Sequence, residues 1–280
     1  MPVFNSGSTI GPAIEALLHQ TYDSFRLIIS DNASTDGTRE VCEAFAAGDP
    51  RITYIRQDTN IGADANFDFV LSCADSEYFM WAAGDDTRAP DFIADNLLFL
   101  DTHPDFVGST SRVRFVGAAY DPVRMGDETR AESSAGDRIA RFFDTWHANG
   151  RFYGLFRRAD LALAKQGLHR FLASDWAVVV RLLARGKTNR LDRGSVDLGI
   201  GGTSHAKHFV ASFRTRWIHW PLPLWDVTVV TWRALEGQGI AAKAAVLLRL
   251  VWLNGKAVWA QLRDAVDRTR RGVRRGAKIT

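Results

Sequence analysis

The first hundred residues alternate between short apolar runs and longer segments with helical spacing. Apolar runs with the length of β-strands occupy residues 25–30, 52–56 and 77–82. Apolar positions three to four residues apart predict helices over residues 8–20, 64–74 and 90–100, with another after residue 38. Strands that alternate with helices predict right-handed βαβ connections and a mostly parallel sheet. The predicted fold class is therefore α/β.

The pattern is less regular at the start of the chain and after residue 100. Only residues 1–4 precede the first loop, whereas a strand usually has about five residues or more, so we expect the natural start to lie upstream. The later predictions are a strand pair at 106–116, a mobile acidic loop at 117–136, a helix at 138–146, a returning strand at 151–157, a helix at 171–183 and a strand at 195–200.

Residues 209–280 have a different pattern, without alternating strands. Pro221 and Pro223 exclude one long helix across residues 217–232. Residues 241–265 are predicted to be helical, with Leu248, Trp252 and Trp259 on the apolar face. The longest apolar run, at 244–253, is interrupted by Arg249 and is shorter than the roughly 18–20 residues that a transmembrane helix needs. We therefore expect neither a membrane span nor an N-terminal signal peptide.

The composition fits a globular protein of a reducing compartment. The sequence is 46% hydrophobic and 24% charged, which excludes disordered and collagen-like classes. Its two cysteines, Cys42 and Cys73, lie in apolar segments without the spacing of metal ligands. We expect both to be reduced, which is typical of a cytoplasmic protein.

Charge is divided unequally along the chain. Residues 201–280 contain 14 Lys and Arg against 4 Asp and Glu, a net charge of +10, whereas the first 200 residues carry −7. The same C-terminal region holds six of the nine tryptophans. A basic, tryptophan-rich segment is typical of a protein that lies on an anionic membrane surface, and a solvated helical tail is the alternative. No nucleic-acid-binding motif is present, so a nucleic-acid partner is not expected.

The loops that follow the predicted strands are candidates for a ligand site. In open parallel sheets, ligands bind beyond the carboxyl ends of the strands. Asp85 and Asp86 follow the strand at 77–82, and two adjacent carboxylates at such an edge favour Mg²⁺ or Mn²⁺ shared with a diphosphate. The alternative is that Asp86 only caps the next helix. Asp31 follows the strand at 25–30, where it can accept a hydrogen bond from a nucleobase or simply complete a turn.

A series of motifs resembles the family 2 glycosyltransferases. In order along the chain they are Met-Pro-Val-Phe-Asn at 1–5, Leu-Leu-His-Gln-Thr-Tyr at 17–22, Ser-Asp-Asn-Ala-Ser-Thr-Asp-Gly-Thr at 30–38, Asn-Ile-Gly at 60–62, Gly-Asp-Asp at 84–86, Tyr-Gly-Leu-Phe-Arg-Arg at 153–158 and Ser-Asp-Trp at 174–176. Each motif is weak alone, and the ordered set is specific. The resemblance covers roughly residues 1–205.

The resemblance implies a GT-A fold and a sugar transfer from a nucleoside-diphosphate donor. It implies a domain at 1–208, with a nucleotide half at 1–100 and an acceptor half at 101–208. Residues 209–280 lie outside the resemblance, and their basic charge and tryptophans predict a helical, membrane-associating segment. The implied roles are as follows: Pro2, Phe4, Asn5, Asp31 and Gly62 at the donor, Asp86 at the ribose and diphosphate, Asp85 and Asp86 at Mg²⁺ or Mn²⁺, and Asp175 as the catalytic base of an inverting displacement.

Ala83 departs from the pattern of this family, and His205 has two interpretations. Many relatives have an acid two positions before Asp85, where this chain has Ala83, which affects how the ribose is held. His205 corresponds to a region where some relatives place a metal-binding histidine, and an exposed loop imidazole is the competing interpretation.

The predicted partners are a donor nucleotide sugar, a lipid-linked or cell-surface glycan acceptor and an anionic membrane, at the inner face of the cell membrane. Two other functions remain open. A nucleotidyltransferase of related fold would need a basic, glycine-rich loop after the first strand, and residues 5–8 contain no basic residue. A non-catalytic, membrane-associated nucleotide-sugar-binding protein is favoured mildly by Ala83.

Overall fold

The computed structural model describes residues 1–116, 124–199 and 209–276. Near the start, three strands form a parallel sheet in the order β1-β2-β3: β1 (Pro2–Val3), β2 (Leu27–Asp31) and β3 (Ile52–Arg56). The helices between and after them are α1 (Ile10–Leu18), α2 (Thr38–Gly48) and α3 (Ala63–Ser72). Every residue of β2 is buried, with Ile29 in the cluster of α1 and α2 and Ile28 in that of α3. Burial on both faces explains the continuous apolar run of β2.

The remaining strands form a mixed sheet. They are β4 (Tyr78–Phe79), β5 (Thr87–Arg88), β6 (Phe106–Phe115), β7 (Leu155–Arg157) and β8 (Lys187–Leu198), in the order β4-β7-β6-β8-β5. The pair β6–β8 is parallel, and the other three pairs are antiparallel. The α/β class is confirmed, with the strands divided between a parallel and a mixed sheet.

Three predictions in the second half of the chain are wrong in detail. Residues 106–115 form the single strand β6 and not a strand pair, because its whole length pairs with β8. The strand expected at 195–200 begins at Lys187, where polar residues and Gly194, with φ of +71°, conceal the strand pattern. Residues 150–153 form a 3₁₀ turn, so the returning strand is limited to β7.

Four helices cover the mixed sheet: α4 (Phe92–Thr102), α5 (Ala135–Phe142), α6 (Arg158–Lys165) and α7 (Ser174–Arg185). Helix α5 begins three residues before the expected position because the Ser134 side chain caps it, accepting from the Asp137 backbone N–H at 3.0 Å. Helix α7 packs into two clusters: Val179 and Val180 face α5, whereas Val178 and Leu182 face Phe152 and α6. It is therefore the central support of this half.

The C-terminal segment packs against this half of the molecule. Its helices are α8 (Phe209–Ser212), α9 (Trp225–Ala234) and α10 (Ile240–Gly276), and α9 begins after the prolines that break the helix pattern. Val227 of α9 and Val246, Leu250 and Leu253 of α10 share one buried cluster with α5 and α7. The start of α10 is thus part of the protein core. None of the helices in the described ranges is long and apolar enough to cross a bilayer.

Candidate active site

Hydrogen bonds join the loop after β1 to the loop after β2. The Asn5 backbone N–H donates to Ser34 Oγ at 2.9 Å, and Asn5 Oδ1 accepts from the Thr35 N–H at 2.9 Å. The Ser6 N–H donates to Thr38 Oγ1 at 2.7 Å. Asn5 has φ of 51°, a left-handed conformation that asparagine tolerates better than most residues. The loop that contains Asn5 is therefore held in place by its neighbour.

The loop after β3 is fixed to the same edge. Asn32 is buried, and its side-chain amide donates to Asn60 Oδ1 at 3.0 Å while its Oδ1 accepts from the Ile61 N–H at 2.8 Å. Gly62 precedes α3 with φ of +86° and donates its N–H to Asn60 Oδ1 at 2.9 Å. A side chain is strained at this φ, which explains the glycine.

The residues expected around the nucleoside differ in exposure. Pro2 is buried in β1, where it pairs with Ser30. Phe4 is 47% exposed at the start of the following loop, and Ile61 of the third loop is 41% exposed. Two exposed apolar side chains on otherwise polar loops offer contact surface for a planar ring. Pro2 supports the loop from below, while Phe4 is accessible.

Asp31 is the last residue of β2 and is fully buried. Its Oδ1 accepts from the Ser34 N–H at 2.8 Å, and its Oδ2 accepts from Tyr54 Oη at 2.8 Å and from Arg56 Nη1 at 2.6 Å. Burial by itself would raise the pKa of Asp31, but the hydrogen bonds from Ser34, Tyr54 and Arg56 outweigh it and hold the pKa below its ordinary value. Asp31 is therefore ionised and organises the loop that follows it.

The Gly84-Asp85-Asp86 turn lies against the loop after β1. A Cβ atom on Gly84 would come within 3.2 Å of Ser6 Cβ and of Val3 Cγ1, so this close approach requires glycine. On the other side, a Cβ on Gly199 at the end of β8 would lie 2.5 Å from Asp85 Oδ2. Asp85 is thus positioned between the loop after β1 and the end of the mixed sheet.

Asp86 is buried and only half bonded. Its Oδ1 accepts from the Gly199 N–H at 3.0 Å, whereas its Oδ2 has no hydrogen-bond partner among the described residues. Burial raises the pKa of Asp86 to about 6, although the charge of Arg88 opposes the shift. Arg88 is also buried and donates from Nη2 to the backbone oxygens of Trp81 at 2.9 Å and Tyr153 at 3.3 Å.

The acid pair has the chemistry of a shared cation site. Within the described ranges, no group of three or more His, Cys, Asp or Glu side chains is arranged to hold a metal ion. Asp85 and Asp86 instead supply carboxylate oxygens at adjacent positions, and Asp86 Oδ2 has no hydrogen-bond partner among the described residues. Mg²⁺ and Mn²⁺ accept one or two protein carboxylates when phosphate oxygens complete their coordination. The residues present therefore fit a cation that is held together with a diphosphate.

Asp175 lies in the first turn of α7. It does not cap the helix, since the residue before α7 is Ala173 in a left-handed conformation. Burial raises the pKa of Asp175, and an interaction with the Asn149 side chain opposes the shift. Burial, followed by the charges of Asp86, Asp175 and Asp85, raises the pKa of the Tyr153 phenol. Tyr153 therefore lies within electrostatic reach of both groups of acids and connects them.

Asp85, Asp86 and Asp175 are all within electrostatic reach of Tyr153. Hydrogen bonds join the loop after Asp31 to the loop after β1, against which the Gly84-Asp85-Asp86 turn lies. His205 lies outside the described residues. The sequence analysis did not identify Tyr54 and Arg56, which donate hydrogen bonds to Asp31. It also did not identify the buried Arg88. Tyr54 and Arg56 lie on the same face of β3 as the buried Ile52, which was a usable signal. Arg88 gave no signal, because an arginine after a turn is ordinarily exposed.

Comparisons with known proteins agree with this architecture. The sequence model of the family described as "Glycosyl transferase family 2" matches residues 1–162. Among curated relatives, the glycosyltransferase GlyG of Streptococcus pneumoniae is 33% identical over 86 residues, which cover 31% of this chain and 29% of GlyG. The matched stretches therefore span only about a third of the length of such relatives.

Solved structures show the same fold at low sequence identity. The structure of Staphylococcus aureus TarS 1-349 in complex with UDP-GlcNAc has a TM-score of 0.67 and 18% identity, covering 89% of this chain and 70% of that one. The mannosyltransferase PcManGT from Pyrobaculum calidifontis, in complex with GDP-Man and Mn²⁺, has a TM-score of 0.58 and 14% identity, covering 96% and 73%. Both support the GT-A fold.

Proposed function

The chain belongs to glycosyl transferase family 2, and on that premise we propose that it moves a sugar from a nucleoside-diphosphate sugar to a hydroxyl acceptor with inversion at the anomeric carbon. One observation carries the proposal: the Gly84-Asp85-Asp86 turn is packed against the loop after β1 and the end of β8, and the partly buried Tyr153 is within electrostatic reach of Asp85, Asp86 and Asp175. A donor and an acceptor that meet above Tyr153 would each face a carboxylate suited to its chemistry.

The donor side would bind the nucleotide through groups that are already oriented. The exposed Phe4 ring offers a stacking surface, and Asn5 and Gly62 present polar backbone groups on fixed loops. Asp31 acts through Arg56, whose side chain is 32% exposed while Asp31 is enclosed. A pyrimidine base would therefore meet Arg56 first and would reach Asp31 only if that ion pair moves. TarS was crystallised with UDP-GlcNAc, and we extend a nucleoside-diphosphate donor to this chain by that likeness.

Asp175 is the group that would accept the proton of the acceptor hydroxyl. Burial raises its pKa, which makes its carboxylate a stronger base than that of an exposed aspartate. As the O–H bond breaks toward Asp175, the acceptor oxygen forms a bond to the anomeric carbon. The bond from that carbon to the diphosphate oxygen then breaks, and the nucleoside diphosphate leaves with the electron pair. A base on the face opposite the leaving group gives inversion.

Asp85 and Asp86 would hold Mg²⁺ or Mn²⁺, which when bound supplies charge stabilisation to the leaving diphosphate. The PcManGT complex contains Mn²⁺, which supports a divalent cation here. Ala83 stands where many relatives have an acid, and this substitution favours the second candidate, a nucleotide-sugar-binding protein without catalysis. Asp175 provides the discriminating test, because only an enzyme needs its carboxylate.

A thermal-shift panel of UDP, dTDP and GDP, with Mn²⁺ or with EDTA, tests the donor site. We expect one nucleotide to raise the Tm only when Mn²⁺ is present, since a ligand stabilises the state to which it binds. The Asp85→Asn variant should lose the part of the shift that depends on Mn²⁺. Asp75→Asn is the matched control, because its carboxylate pairs with Arg26 before β4, at the other end of the strands. Equal shifts with EDTA would refute the metal site.

We further propose that the acceptor is a lipid-linked or cell-surface glycan and that the enzyme works at the cytoplasmic face of an anionic membrane. Helix α10 supports this, because it has two apolar faces. Val246, Leu250, Leu253 and Ala257 are buried in the core. A second row faces solvent at helical spacing, on the opposite side of the helix: Leu248, Val251, Trp252, Trp259 and Leu262.

The exposed row is what an interfacial helix presents to a bilayer. Leu248 is 72% exposed and Trp259 is 69% exposed, and the basic residues of the C-terminal end follow them. In co-sedimentation, we expect binding to vesicles that contain phosphatidylglycerol and weaker binding to neutral phosphatidylcholine vesicles. Leu248→Glu should weaken the binding, whereas Leu98→Glu, at a 58% exposed position of α4, is the matched control. Equal losses in both variants would refute the assignment of this face.

A further inference from the structure

A groove of about 600 Å³ lies between α10 and the segment before the 3₁₀ turn. Trp146, Val210, Trp252 and Trp259 form its apolar lining, and Gly255 leaves space between the rings. The volume is within the range of small-molecule sites. Because Trp252 and Trp259 also belong to the exposed row of α10, the groove is continuous with the face proposed to contact the membrane.

The groove approaches the candidate catalytic base through two rings. The Trp146 ring lies 5.3 Å from that of Trp176, centroid to centroid, and Trp176 directly follows Asp175. Arg249 of α10 donates to Asp144 Oδ1 at 2.6 Å, which ties α10 to the segment that carries Trp146. A molecule in the groove would therefore lie on the acceptor side of the cleft and away from the donor loops.

The charges around the groove select an anionic head group. Lys256 and Arg263 line it, and its described lining contains no acid. The Lys256 Nζ lies 3.9 Å from the centroid of the Trp252 ring, so one cation sits directly at an apolar wall. An aliphatic chain would bury apolar surface against the tryptophans, while a phosphate at its end would pair with the two cations.

We propose that this groove binds the aliphatic chain and phosphate of an amphiphilic acceptor, and so delivers its hydroxyl-bearing end toward Asp175. The inference rests on the proposed function, since it names the acceptor class of the same cleft. In addition, the protein itself would bind the aliphatic chain of the acceptor, which would not be held by the bilayer alone. The groove would then select acceptors that carry a single aliphatic chain with an anionic phosphate.

Binding of farnesyl phosphate, measured by calorimetry without vesicles, tests the groove directly. Farnesol and inorganic phosphate are measured in parallel, and nucleotide binding with Mn²⁺ is measured on every variant. Gly255→Leu fills the groove, and no atom lies within 4 Å of the position of the new Cβ. Leucine also favours helix more than glycine, so this variant should fold. Gly48→Leu, at the exposed end of α2 and likewise without a neighbour within 4 Å, is the matched control.

We expect farnesyl phosphate to bind at least tenfold more tightly than farnesol, and inorganic phosphate alone to bind much more weakly. Gly255→Leu should lower the affinity for farnesyl phosphate at least tenfold, whereas Gly48→Leu and nucleotide binding should not change. A combined Lys256→Gln and Arg263→Gln variant should remove the preference for farnesyl phosphate over farnesol. Unchanged affinity for farnesyl phosphate in Gly255→Leu would overturn the proposal. If the unaltered protein did not bind any nucleotide in the presence of Mn²⁺, that result would instead count against the proposed function.

Discussion

The donor loops and the region around Asp175 are built from opposite kinds of contact. Around the donor loops, Asp31, Asn32 and Asn5 each bond to a neighbouring loop, and the partners of Asp31 satisfy both of its oxygens. Around Asp175, Trp176 packs against Phe142, Phe143 and His147, and several buried polar groups nearby lack partners among the described residues.

This difference indicates how each side is prepared for its ligand. Bonded loops are already in the geometry that a polar nucleotide needs, so little reorganisation accompanies binding. On the acceptor side, Arg151 Nε and Nη1 have no hydrogen-bond partner among the described residues. A buried polar group without a partner costs stability, and such groups are often retained for function. The loops around Asp31 are therefore fixed by hydrogen bonds before a ligand binds, whereas Arg151 on the acceptor side keeps unpartnered buried nitrogens, as Asp86 keeps an unpartnered oxygen beside the donor loops.

The largest expected effect comes from the acceptor side. Asp175→Asn keeps the shape of the side chain but removes the base, so sugar transfer should fall by about 10²–10⁴-fold. Nucleotide binding with Mn²⁺ should be unchanged, because Asp175 does not contact the donor loops. Initial rates with a nucleotide sugar and a hydroxyl acceptor, together with calorimetry of the nucleotide, measure both quantities.

Asp160→Asn provides the control for that variant. Asp160 pairs with Arg185 at the far end of α7, at 2.7 Å, so its loss perturbs the same helix without touching the cleft. Equal rates in the Asp175→Asn variant and the unaltered protein would remove Asp175 from the mechanism. They would favour the non-catalytic alternative if no transfer were detected in either protein.

The two sides also differ in how far the sequence predicted them. The donor side follows from local signals: each strand of the parallel sheet is a short apolar run, and the polar residues directly after it form the site. Asp31 could therefore be found by position alone. Asp85 and Asp86 were found from the apolar run at 77–82, although only Tyr78–Phe79 forms a strand there and it pairs antiparallel in the mixed sheet. Gly84 and Gly199 were not explained in this way, because the close approaches that require them come from distant parts of the chain.

The acceptor side depends on contacts that no local pattern contains. Strand β8 carries charged and polar residues along an edge of the mixed sheet, so its alternation is weak and only its last residues were predicted. Tyr153 and Arg88 meet across 65 residues of sequence, through the Tyr153 carbonyl. In α10, the sequence predicted one apolar face, and the structure has two because the helix packs on α5 and α7 with the face opposite the tryptophans.

An effect of intermediate size is expected for Asp31→Asn on the donor side, where the free energy of unfolding should decrease. Asparagine replaces a buried carboxylate that accepts from Ser34, Tyr54 and Arg56, which should cost about 2–3 kcal/mol at pH 7. The folded-state pKa of Asp31 is depressed, so the stabilisation is present above its ordinary value of 3.8 and is lost as pH falls through the lower folded-state pKa. Denaturant unfolding at pH 7 and at about pH 3 should show the difference shrinking.

Asp49→Asn is the control, because it removes an ion pair whose side chains are partly exposed and not buried. Asp49 pairs with Arg51 at 2.7 Å, but both side chains are partly exposed, so the variant should lose less than about 1 kcal/mol. If Asp31→Asn cost no more than this control at pH 7, the donor loops would not owe their order to the buried carboxylate.

The smallest change in the free energy of unfolding is expected for Arg151, a buried residue whose hydrogen bonding contrasts most strongly with that of Asp31. Arg151 is 2% exposed beside the acceptor side, and burial together with the charge of Arg130 lowers its pKa to about 9. Its Nη2 donates to the Glu128 carbonyl, while its other nitrogens lack partners in the described part of the chain. Replacing a buried, poorly paired charge with an apolar side chain of similar length is often neutral or stabilising. Arg151→Met should therefore change the free energy of unfolding by less than about 1 kcal/mol, in contrast to Asp31→Asn. A loss of more than about 3 kcal/mol would mean that Arg151 belongs to a bonded network like that of the donor loops, and the two sides would then be built alike.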